Sequence, residues 1–189
     1  MNRNILAAAL GAAALGLSAC ATPPMAPPQA SLDNIQALRA ANLAPIRVGE
    51  FVAGPGKPKE MDRRISVRAN TMAAPGGSFA RYLGDTIAAE LNGAGKLDPN
   101  ADLVLSGVIT DSHVESMSAV GHANLAARFT LKRGGKVVFD KTLSTKADWD
   151  SNFMAVVAVP DAFNRYTGLF KALVTQLFAD PEFRAAARP

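Results

Sequence analysis

Apolar residues recur along most of this chain at the spacings of amphipathic elements. Leu32, Ile35 and Leu38 fall at helical spacing behind Ser31, a candidate N-cap, and run to about Asn42; Pro45 ends that helix. Ile46, Val48 and Phe51, with Val52, mark a strand from Ile46 to Ala53 that Gly54-Pro55-Gly56 breaks. A second short strand is expected around Ile65, Val67 and Ala69, followed by a breaker at Ala74 to Gly77. After Ser78 the pattern strengthens. Phe79, Leu83, Ile87 and Leu91 share one helical face, Tyr82 and Glu90 lie beside it, and Gly93 and Gly95 close the helix.

The second half reads as strands and then one long helix. Leu103 to about Glu115 is a strand with apolar residues on both faces near its start. Leu125, Ala127, Phe129 and Leu131 alternate with Asn124, Arg128, Thr130 and Lys132, the period-two signature of a half-buried strand. Gly134-Gly135 makes a tight hairpin turn, and the return strand runs from Lys136 to about Lys146. Pro160 and Asp161 suit the first turn of a helix whose stripe is Phe163, Tyr166, Phe170, Leu173, Val174 and Leu177; Asp180-Pro181 stops it. There is no internal repeat and no second domain boundary. The fold class is therefore α+β: a two-layer sandwich with amphipathic helices packed on one face of a mainly antiparallel sheet.

The N-terminus carries a different signal. Arg3 precedes an Ala/Leu/Gly stretch from Ile5 to Leu17, an apolar region too short to span a bilayer, and small residues follow it. A leader ending Leu17-Ser18-Ala19-Cys20 resembles the lipobox of bacterial lipoproteins. That resemblance implies that the Cys20 thiol receives a diacylglycerol and that residues 1–19 are cleaved as a signal peptide. Ala21 to Ala30, with Pro23, Pro24, Pro27 and Pro28, is expected to be an extended tether (residues 20–30). Residues 31–189 then form one periplasmic α+β domain. Ala21, where an aspartate would favour the inner membrane, implies by the same resemblance export to the outer membrane.

From about Phe79 to Arg184 the chain also resembles an uncharacterised family of proteobacterial envelope lipoproteins. The stretches that carry the likeness are Phe79 to Leu83, Gly95-Lys96-Leu97-Asp98, Leu125 to Gly135 and Val159-Pro160-Asp161-Ala162-Phe163-Asn164-Arg165-Tyr166. In layout it is similar to lipopolysaccharide-assembly lipoproteins and to auxiliary lipoproteins of ABC-type transporters. Those share a lipobox, a Pro-rich tether and a helix-on-sheet domain, but layout does not fix function.

Composition narrows the chemistry. Cys20 is the single cysteine, so no disulfide is available, and with two histidines no Cys/His zinc pattern can be built. Formal net charge is +4, or +3 once Arg3 is lost, a mild excess that suits anionic head groups without selecting them. No Gly-x-Ser-x-Gly elbow is present, and Gly76-Gly77-Ser78-Phe79 reads as a turn and helix cap. No Gly-rich phosphate cradle follows a strand. An enzyme is not expected, no cofactor is expected, and a tethered envelope protein has no nucleic-acid partner in prospect.

Three constellations remain. Asp111, His113 and Glu115 alternate along a strand and, with His122 across the turn, are weak candidates for a divalent metal; the alternative is a polar strand end leaving the core. Lys57, Lys59, Arg63, Arg64 and Arg68 form a basic loop that either meets lipid phosphates or lipopolysaccharide, or is simply solvated. Trp149, Phe153, Met154, Val156 and Val157, with Val159, are unusually apolar for a link between a strand and a helix. They either contact a partner or lipid, or are buried under the second helix with Trp149 plugging the core. The expected role is contact in outer-membrane assembly, transport or maintenance, with the membrane engaged through acylated Cys20 and an integral envelope protein or lipid as further partner. A lipid or lipopolysaccharide carrier with an enclosed apolar cavity is the alternative, and a metal-binding protein or hydrolase a weaker one.

Overall fold

The computed structural model describes residues 25–55, 59–117 and 119–189, with the side chains of Lys59 and Glu60 left out. The leader, Cys20 and Lys57 lie outside the described residues. The elements in chain order are α1 (Leu32–Ala40), β1 (Ile46–Ala53), α2 (Lys59–Arg63), β2 (Arg64–Val67), β3 (Asn70–Ala73), a 3-10 turn (Pro75–Gly77), α3 (Phe79–Ala94), β4 (Leu103–Glu115), β5 (Val120–Arg133), β6 (Lys136–Asp150), α4 (Ala155–Ala179) and α5 (Pro181–Ala186).

Four strands form an open sheet in the order β1-β4-β5-β6, while β2 and β3 pair as a separate hairpin. Within the sheet β4, β5 and β6 are antiparallel neighbours and β1 runs parallel to β4. The architecture is the α+β one expected from the pattern, with a mixed but mostly antiparallel sheet. Alternation places Ala123, Leu125, Ala127, Phe129 and Leu131 of β5 inward, at most 3% exposed. Helices α3 and α4 cover that face, and α1 packs on α3 and α4. Phe79 and Tyr82 meet Tyr166 and Phe170 edge-on between the two helices, with centroids 5.2–5.4 Å apart for Phe79–Tyr166 and Tyr82–Phe170. Among the described residues no helix covers the opposite face of the sheet.

Local signals explain the boundaries. The Ser78 hydroxyl accepts from the Arg81 N–H at 3.0 Å and caps α3, whose far end closes on Gly95 in the left-handed region. Gly134 and Gly135, with φ of 54° and 82°, make the β5–β6 turn that only glycine adopts cheaply. Asp180 ends α4 and caps α5, accepting from the Glu182 and Phe183 N–H groups at 2.9 and 3.0 Å.

Several expectations need correction. Met25, within the stretch expected as a tether (residues 20–30), is only 5% exposed and packs in the core. Ser31 stands at the N-cap of α1, but its side chain does not cap; its N–H instead donates to Glu90. The short strand expected at Ile65, Val67 and Ala69 is a hairpin, with Arg68 and Ala69 as its turn. β6 extends to Asp150. Helix α4 begins at Ala155 and contains Pro160 rather than starting there. Proline near the exposed start of a helix forfeits a single hydrogen bond, to the carbonyl four residues back, which water can replace.

Candidate functional site

The alternation of β4 is broken at Thr110. Its register passes from Ile109↔Ala127 to Asp111↔Ala126, so one extra residue stands in the strand. Such a bulge reverses the facing of everything beyond it. Ser112 and Val114 therefore turn inward, and the Ser112 hydroxyl shares a hydrogen bond of 2.7 Å with Tyr166 Oη. Burial pushes the Tyr166 hydroxyl well above the usual tyrosine range, so it remains protonated.

Asp111, His113 and Glu115 consequently stand on the uncovered face. Asn124 Nδ2 donates to Asp111 Oδ2 at 2.6 Å, and His113 Nε2 is 3.7 Å from Glu115 Oε2. His122, opposite Glu115 in the ladder, turns to Asp148 instead, Nδ1 to Oδ1 2.7 Å. Among the described residues no three His, Cys, Asp or Glu side chains are grouped to hold a metal ion. The structure does not assemble the metal constellation.

The basic residues are dispersed. Arg63 and Arg64 are exposed on α2 and β2, and Arg64 borders an open depression of about 420 Å³ with Met61, Ile65, Ser66, Ser112 and His113. Arg68 serves another purpose. Its Nε donates to the Ser116 carbonyl at 2.5 Å, one terminal nitrogen to the Phe153 carbonyl at 2.9 Å, and the other to Ser151 Oγ at 3.2 Å. Three of the five guanidinium N–H donors of Arg68 are thus engaged by loop acceptors.

Those three bonds bring together two connections: the β4–β5 loop and the β6–α4 loop. Ser116 Oγ and Ser151 Oγ share a further hydrogen bond of 2.5 Å, and the Ser151 N–H donates to the Ala119 carbonyl at 2.8 Å. The apolar segment is thereby divided. Trp149 is 6% exposed and belongs to the core, as does Val159. Phe153, Met154, Val156 and Val157 are 96, 57, 79 and 45% exposed. Met117 and Val120, 75 and 40% exposed, extend the same end of the molecule from the neighbouring loop. Sequence reasoning missed these two residues because their nearness to residues 151–157 comes from the β5–β6 ladder, where Val120 pairs with Asp150, and is braced by Arg68, which lies 48 residues before Ser116. The surface is thus an apolar tip on two cross-braced loops.

No family model matches the chain, and no curated protein matches it. Its fold is shared with solved structures. A Xanthomonas campestris protein of the DUF330 family superposes with a TM-score of 0.56 at 14% identity, over 87% of this chain and 94% of that one. Weaker likenesses are the PelC dodecamer protein of Paraburkholderia phytofirmans (TM-score 0.44, 13% identity, 79% and 92% covered) and a minor lipoprotein of Acinetobacter baumannii (0.43, 9%, 74% and 93%). At 14% identity the first of these likenesses establishes the fold alone.

Proposed function

We propose that this chain is a bacterial envelope lipoprotein, acylated at Cys20, that acts by non-enzymatic contact in assembly, transport or maintenance of the outer membrane. The observation that carries the reading is the apolar tip, braced by Arg68 and exposed beside a filled interior. Phe79, Phe129, Tyr166 and Phe170, each at most 1% exposed, occupy the space between sheet and helices where a carrier would need a cavity. The two roomy depressions, about 420 and 440 Å³, open to solvent instead. The lipobox-like Leu17-Ser18-Ala19-Cys20 supports attachment, and no described helix is long and apolar enough to cross a membrane.

Cross-linking in intact cells, purification from membranes and mass spectrometry test the role. An acylated N-terminal Cys20 with a reproducible envelope protein attached is the expected result. Stoichiometric lipid with no protein partner would move the carrier reading to first place. Cys20→Ser is expected to abolish incorporation of labelled fatty acid and to release the domain from membranes; retention of the label on the variant would refute the anchor.

A further inference from the structure

We infer that the outer edge of β6 is a contact surface for a second copy of this chain, the two β6 strands pairing antiparallel about Leu143. The inference goes beyond the reading above and does not depend on the acyl anchor.

Strand β6 forms one side of the sheet and, from Lys136 to Asp150, is its longest strand. In an antiparallel ladder the backbone N–H and C=O groups point alternately to one neighbour and to the other. Those of β6 that turn away from β5 meet no backbone partner among the described residues. A long open edge is a template for another strand, and proteins that stay monomeric shorten, bend or cover it. Here only the start is disturbed, where Val138 stands extra between the pairs Lys132↔Val137 and Leu131↔Phe139. From Phe139 to Asp150 the ladder is regular.

The charge pattern selects a second copy rather than a foreign strand. A two-fold axis at Leu143 sets Asp140 opposite Lys146 of the second copy, and Lys146 opposite Asp140, with Thr142 opposite Ser144 on both sides. No like charges are opposed from Phe139 to Ala147 in this register. Neighbouring registers lose that match. An axis at Ser144 sets Asp140 against Asp148 of the second copy, and one at Lys141 sets that lysine against itself. Opposite charges directly across a strand pair stabilise it, and like charges destabilise it. Thr142, Ser144 and Lys146 are exposed and make no side-chain hydrogen bond or ion pair among the described residues. Arg128 holds the Asp140 carboxylate in place at 2.5 and 2.6 Å.

Lys141 lies on the helix side of the edge, where a loose lysine would obstruct pairing. It is instead bound to Asp180 and Glu182 of its own chain, at 3.0 and 2.6 Å, and in this register meets Thr145. Leu143 faces inward in both copies, so the two helical layers fall on the same side of one continuous sheet.

Cross-linking in register tests this. Full-length protein carrying Cys20→Ser, which leaves introduced thiols alone, is prepared in detergent as Thr142→Cys and as Ser144→Cys with different tags. Directly opposed strand residues stand about 4.5–5.5 Å apart at Cα, within disulfide span, whereas diagonal ones stand about 7–8 Å apart. Mild oxidation is expected to join the two tags several-fold more efficiently than it joins like to like. Sedimentation should show a dimer that dissociates on dilution. Lys146→Glu should weaken that dimer about tenfold or more while thermal unfolding stays in place. A monomer at every concentration overturns the inference, as does equal cross-linking in all mixtures. Assemblies larger than a dimer overturn it in favour of β6 pairing with β1 of the next copy. Association that Lys146→Glu leaves unchanged assigns the contact to another surface.

Discussion

Gly121 and Trp149 face each other across the β5–β6 ladder, and the indole fills the space where a Cβ on Gly121 would stand. The ring closes the end of the core directly beneath the apolar tip. Gly121→Ala is expected to displace the indole and cost about 1–3 kcal/mol, the range for overpacking a core site. Denaturant melts give the loss. The emission of Trp149, the one tryptophan, should move to longer wavelength as its ring leaves the interior.

The turn that carries Arg68 is built against the preference of its residues. Arg68 and Ala69 both have positive φ, 47° and 65°, the two-residue form that asparagine and glycine usually supply. Ala69→Gly should stabilise the protein by about 0.5–1 kcal/mol, the relief of a left-handed alanine less the added freedom of the unfolded chain. Arg68→Ala should act the other way by about 1–3 kcal/mol, since three loop acceptors lose their donor. Hydrogen exchange should quicken in residues 116–120 and 151–154 of this variant and stay slow in α3.

Glu90 is fully buried and is held by two donors from the start of the chain. The Ser31 N–H reaches Oε2 and Asn34 Nδ2 reaches Oε1, each at 2.9 Å. Glu90→Ala leaves both donors without an acceptor and should cost about 2–3 kcal/mol. Glu90→Gln should recover only part of that, because an amide offers one oxygen. Urea unfolding compares the two, and proteolysis before residue 42 should accelerate in the alanine variant.

Asp180 provides a test by pH. Burial tends to raise its carboxyl, but the N–H groups of Phe183 and Glu182 and the Lys141 ammonium at 3.0 Å outweigh burial, holding it below the ordinary aspartate value. A carboxyl depressed in the folded state stabilises above its unfolded pKa, and that stability is lost as pH falls through the folded value. Asp180→Asn keeps a capping oxygen without the charge. It should be about 1 kcal/mol less stable than the parent at pH 7, and the gap should close as pH falls below the ordinary aspartate range and through the depressed folded value. A gap that persisted at low pH would assign the effect to packing around Phe183.

Much of the framework is legible without coordinates because its signals are local. Ser78 caps a helix, Gly134-Gly135 turns a hairpin, and Leu125 to Leu131 alternate cleanly, each within a few residues. The bulge at Thr110 has no such signature, since the extra residue is defined only by its partner strand. One extra residue turns Asp111, His113 and Glu115 away from the face that Leu103, Leu105 and Ile109, of the same parity, occupy. The start of α4 is hidden for a related reason: Pro160 resembles a helix opening, and only packing decides that Ala155 to Val159 precede it in the same helix. Of the candidate site, the apolar character of residues 153–157 is visible in sequence. Their union with Met117 and Val120 is not, because it depends on strands that pair 30 residues apart and on a brace from Arg68 far upstream.

The parallel pairing of β1 with β4 has a consequence for how the molecule is made. Ile46 finds Leu103, its partner in the ladder, only after α2, the β2–β3 hairpin and α3 have intervened. The Ala44 N–H then waits for the Ala187 carbonyl, which it meets at 2.9 Å, and Arg133 donates to the carbonyls of Ala186 and Arg188 nearby. A chain emerging N-terminus first thus keeps its opening strand without a ladder partner until β4 is out, about fifty residues later, and the Ala44–Ala187 contact beside that strand closes last of all.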